Sequence, residues 1–95
     1  MTRQTLICKV IELMIEDIEL LRKKNADYSS EGDALENFRD FGVNGIIVRL
    51  GDKYMRLKTF ARRGTYAVSD EKLDDTLKDV GIYTYLARVL RMDKK

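Results

Sequence analysis

Ninety-five residues without a proline, carrying apolar side chains at three- and four-residue intervals along long stretches, restrict the chain to helices. The strongest of these patterns opens the chain and predicts a helix over about residues 5–24. Leu6, Val10, Leu13, Leu20 and Leu21 form one apolar side. Ile7, Ile11, Met14, Ile15 and Ile18 widen it, leaving Lys9, Glu12, Glu16 and Glu19 a narrow strip. An arc that wide must be covered from two directions, which predicts assembly into a homo-oligomer, a dimer or larger.

A short helix is expected over residues 35–41, ending at Gly42 as a left-handed cap. A third follows over about residues 44–62, with Ile46, Ile47, Leu50, Tyr54, Leu57 and Ala61 on its inner face. Gly64 closes it, and Ser69 with Asp70 and Glu71 signals the start of a fourth helix over residues 71–92. Leu73, Leu77, Val80 and Ala87 form that helix's main stripe. The expected fold is one all-α domain spanning residues 1–95, a small bundle of three long helices and a short one, completed by oligomerisation.

Composition narrows the chemistry. Eighteen basic and sixteen acidic residues give a net charge of only +2, too balanced for a protein that coats DNA directly. There is no histidine, so imidazole acid–base catalysis and the usual zinc sites are out of reach. Any catalysis falls to carboxylates, Lys, Arg or Tyr, with a hard divalent cation as the natural cofactor. The single cysteine, Cys8, lies in the apolar first helix and reads as a buried, inert thiol in a reducing cytoplasm. No apolar stretch is long enough to predict a membrane span.

Several charged residues stand where apolar ones are expected. Asp17 falls among Val10, Leu13, Leu20 and Leu21, and a carboxylate there needs a cationic partner or a metal. Asp75 and Asp79, four apart, share a stripe that continues into Ile82, Tyr83, Leu86 and Leu90. Two facing carboxylates repel unless a divalent cation or basic groups lie between them; a solvated first turn is the plain alternative. Arg49, Asp52, Lys53 and Arg56 occupy one flank of the third helix. They form either an ion-pair ladder on a wet face or a triphosphate site in which the acid holds metal and the cations take phosphate oxygens. Glu16 with Glu19, and Glu71 with Asp74, read as solvated charge.

Four segments, "KNADY", "LENF", "VRLGDKYMRL" and "DDTLKDVGIYTYLA", resemble in order the motifs of a phage and bacterial family called nucleotide modification associated domain. That family is itself similar to the all-α nucleoside triphosphate pyrophosphohydrolases of the MazG and dimeric dUTPase type. The resemblance implies a magnesium-dependent site in which Asp52, Asp75 and Asp79 bind metal, with Asp52 and Asp79 catalytic. It also implies that Lys53 and Arg56 meet phosphates, while Asn25, Asp27 and Tyr28 lie at the nucleoside end, in a loop. The hydrolases pair E-x-x-E with E-x-x-D, whereas here the third helix offers one acid and the fourth D-x-x-x-D. Two functions are therefore expected from the resemblance. One is a phage-type, cytoplasmic pyrophosphohydrolase-like enzyme; the other is a non-catalytic protein that sequesters a nucleotide signal of host immunity. A helical bundle without a ligand is the third possibility.

Overall fold

The computed structural model describes residues 1–28, 32–63 and 71–93, with the backbone alone for Asp27, Tyr28 and Glu71. Among the described residues there are four helices and no strand, as the periodicity predicts. They are α1 (Arg3–Tyr28), α2 (Glu36–Arg39), α3 (Gly42–Arg63) and α4 (Glu71–Met92). None of these is long and apolar enough to cross a membrane. The chain divides into two compact units, Met1–Asn37 and Phe38–Lys95.

The first unit is dominated by α1, which is 26 residues long and extends past both expected ends. Thr2 starts it: its Oγ1 accepts a hydrogen bond from the Thr5 backbone N–H at 3.1 Å, an N-cap. No Gly or Pro interrupts the chain before Gly32, so "KNADY" continues the helix instead of leaving it, correcting the expected loop. Asn25 then ties the return of the chain, its Nδ2 donating to the Ala34 carbonyl at 2.6 Å. Asp33 turns the chain just ahead of α2, its Oδ1 accepting from the Leu35 N–H at 3.1 Å. Cys8 is exposed, not buried, because the apolar arc around it is itself exposed. Glu16 and Glu19 are solvated as expected, and Glu19 grips Arg22 at 2.6 Å.

The second unit is a helical hairpin of α3 packed along α4. Gly42 enters α3 with φ 63°, the left-handed conformation that favours glycine at this turn. Three cross-helix contacts define the packing. Arg39 bonds Asp93 at 2.7 Å, the Arg49 guanidinium reaches the Tyr83 hydroxyl at 3.4 Å, and Lys53 bonds Asp79 at 2.9 Å. From Arg49 to Lys53 on α3 is four steps forward and from Tyr83 to Asp79 on α4 four steps back, so the two helices run antiparallel, and Arg39 with Asp93, just outside them, keeps the same register. Gly64, Ser69 and Asp70, expected to close α3 and open α4, lie outside the described residues.

This register selects inner faces that overlap in part with the expected ones, with Ile46, Leu50 and Leu57 covered as expected. On α3 the covered positions are Ile46, Leu50, Lys53, Leu57 and Phe60, in alternating steps of four and three. Ile47, Tyr54 and Ala61, expected inside, are exposed. On α4 Thr76 and Leu86 are buried and Asp79, Tyr83 and Leu90 half-buried; of the expected main stripe Leu73, Val80 and Ala87 are also half-buried, Leu77 is exposed, and so is Asp75. Two charged residues in the seam, Lys53 and Asp79, are half-buried and satisfy each other. Among the described residues the buried apolar side chains are Ile46, Phe60 and Leu86.

Truncating a buried seam residue should therefore cost far more than truncating one on the outer face. In denaturant unfolding, Phe60→Ala is expected to lose about 3 kcal/mol and Ile47→Ala under about 1 kcal/mol. Equal losses would show that the inner face of α3 is misassigned.

Candidate functional site

Where the hairpin seam turns polar, towards the C-terminal end of α3 and the start of α4, it opens into a cavity of about 470 Å³. Its α3 wall is Arg56, Thr59, Phe60 and Arg63, and its α4 wall is Lys72, Asp75, Thr76 and Asp79. The residue types follow from the seam. Phe60 and Thr76 occupy its covered positions, and Arg56, Arg63, Lys72 and Asp75 flank them. A volume of this size falls within the roughly 300–1,000 Å³ of small-ligand sites.

The electrostatics favour an anion. Three cations, Arg56, Arg63 and Lys72, face two carboxylates, Asp75 and Asp79, and Asp79 is already engaged by Lys53. That ion pair is largely shielded, with 17% of the Lys53 side chain and 28% of Asp79 exposed. Arg63 lies over the Phe60 ring with its guanidinium carbon 5.1 Å from the centroid, which orders the side chain without consuming its donors. Arg56 makes no ion pair among the described residues and is exposed at the cavity edge, so its guanidinium fork is available for a bidentate oxyanion contact.

Both hydroxyls on the walls are turned back onto their own helices. Thr59 Oγ1 donates to the Met55 carbonyl at 3.1 Å and Thr76 Oγ1 to the Lys72 carbonyl at 2.8 Å. With their protons committed, they can accept a hydrogen bond but not donate one to an oxyanion. Anion recognition therefore rests with the guanidinium and ammonium groups.

The expected site residues are only partly brought together. Arg56, Asp75 and Asp79 line the cavity, and Lys53 reaches it through Asp79. Asp52 is exposed on α3 and is not part of the lining. Among the described residues no three His, Cys, Asp or Glu side chains are grouped to hold a metal ion, so Asp52, Asp75 and Asp79 do not form the three-acid cluster expected of them. Asn25, Asp27 and Tyr28 belong to the first compact unit, and the side chains of Asp27 and Tyr28 lie outside the described residues. Asp17 is half-buried and has no ion pair among the described residues. Arg63, Lys72, Phe60, Thr59 and Thr76 escaped notice in the sequence. The signal was present in the four-and-three spacing that continues through Lys53, Leu57 and Phe60, and through Lys72, Thr76 and Asp79.

No family model matches the chain, and neither a curated protein nor a solved structure is found to be similar to it.

The Lys53–Asp79 pair should behave as a unit. Asp79→Ala leaves an ammonium in the seam and is expected to cost about 1–3 kcal/mol. Lys53→Met combined with Asp79→Leu should recover most of that loss. Additive losses in the double variant, read by denaturant unfolding, would mean that the two side chains do not interact.

Proposed function

We propose that this protein binds a nucleotide through its phosphate groups in the α3–α4 cavity. The observation that carries the reading is the convergence of Arg56, Arg63 and Lys72 on one space of ligand size. The guanidinium forks of Arg56 and Arg63, both on the cavity wall, match phosphate oxygens. The resemblance of the DKYMRL and DDTLKD segments to motifs of the nucleotide modification associated domain family points the same way, because those segments supply Lys53, Arg56, Asp75 and Asp79.

Retention of the nucleotide without cleavage is the better supported form. Asp79, the acid best placed in the seam, is neutralised by Lys53, and the described residues bring no three carboxylates together. Such a protein would sequester a nucleotide signal, in a phage setting and in the host cytoplasm. Magnesium-dependent hydrolysis of the MazG kind is the second reading, favoured by Asp75 and Asp79 lining the same cavity. In that form the two aspartates would hold the ion and the cations would stabilise the phosphates.

A thermal-shift series with nucleosides, nucleotides and cyclic nucleotides, with and without magnesium, tests this. A ligand at about a hundred times its Kd contributes about 2.7 kcal/mol, a rise in melting temperature on the order of 10 °C for a chain of this size. The rise should require phosphate, survive removal of magnesium, and vanish in Arg56→Ala/Arg63→Ala. Recovery of intact ligand from the denatured complex separates retention from hydrolysis. If no phosphorylated ligand moves the melting temperature, or nucleosides move it equally, the reading fails.

A further inference from the structure

Helix α1 presents two parallel apolar seams to solvent. Leu6, Val10, Leu13 and Leu20 follow steps of a heptad in which Asp17 takes one place. Ile7, Ile11, Met14, Ile18 and Leu21 follow the same steps one residue further on, with no charge among them. Between Leu6 and Ile18 the apolar side chains of both seams are 40–58% exposed.

We infer that α1 is a self-association surface, and that it pairs antiparallel with α1 of a second copy of this chain. The argument for a second copy is charge complementarity along the seam. Lys9 and Glu16 flank the Leu6–Leu20 seam at equivalent heptad places, seven residues apart, and both are exposed. In an antiparallel pair, Lys9 of each copy lies beside Glu16 of the other, twice by symmetry. The same register moves Asp17 away from its own counterpart and opposite Leu6, towards the basic start of the partner helix. A parallel pair would instead stack Asp17 on Asp17 inside the seam and leave Lys9 and Glu16 without opposite charges. Such antiparallel pairing is two-fold and closed, so the assembly holds an even number of chains. The inference does not depend on what occupies the α3–α4 cavity.

Light scattering coupled to size exclusion, run on the full chain over a concentration series, reads the mass directly. The expected mass is that of two copies or an even multiple, and a monomer or an odd assembly overturns the inference. Leu13→Glu should give a monomer that keeps its helical circular dichroism. Should that variant unfold, the charge variants decide: Lys9→Glu should weaken association at least about tenfold, and Lys9→Glu/Glu16→Lys should restore it. The intrahelical Lys9–Glu12 contact, 4.0 Å long and exposed, is too weak to account for a loss of that size. Unchanged association in Lys9→Glu would overturn the antiparallel register.

Discussion

The second unit depends on one interaction, the ion pair between Lys53 and Asp79 in the middle of the α3–α4 seam. An apolar seam alone tolerates a slip of one helical turn, because one Leu or Ile resembles the next. A charged residue in each helix restricts that freedom. A slip of one turn that set Lys53 against Tyr83 would set Asp79 against Leu57, leaving the ammonium and the carboxylate half-shielded with no counter-charge. Arg49 on Tyr83 and Arg39 on Asp93 continue the register towards the open end of the hairpin. The apolar residues supply adhesion, and the polar ones fix which turn faces which.

Fixing the register also divides the hairpin by chemistry. Towards the start of α3 and the end of α4 the seam carries Ile46 and Leu86, both buried. On the other side of the ion pair it carries Phe60 and Thr76, with Arg56, Arg63, Lys72 and Asp75 around them, and there the packing opens into the cavity. The pair stands at the boundary. It contributes one carboxylate to the cavity wall while its ammonium holds that carboxylate in place. A site built on two long, mutually registered helices keeps its cationic groups convergent without relying on a loop.

The helical class was legible because proline is absent and the apolar periods are long. The locations of the four helices followed from the same periods, with ends a few residues out. Inner faces were harder to read. On α3, Ile47 and Tyr54 compete with Lys53 and Phe60 for the inside, and hydrophobicity alone favours the former pair. What reverses the choice is the partner helix, since Lys53 enters the seam only because Asp79 meets it there. The same logic applies to the candidate site. Arg56, Asp75 and Asp79 were recognisable as charges in unusual places, but Arg63 and Lys72 look like ordinary solvated ends of helices until the hairpin brings them together. The exposure of Cys8 has the same origin, because a helix that is apolar on most sides says nothing of whether its cover comes from its own chain.

Among the described residues the hairpin buries few side chains, and the apolar residues of α1 in the other unit are largely exposed. The cavity follows from the register of α3 against α4. Nuclear Overhauser contacts between assigned side chains test that register most directly. Cross-peaks are expected from the Lys53 ε-methylene to the Asp79 β-methylene and from the Arg49 side chain to the Tyr83 ring. Cross-peaks displaced by a helical turn, from Lys53 to Tyr83 or to Thr76 with none to Asp79, would contradict it.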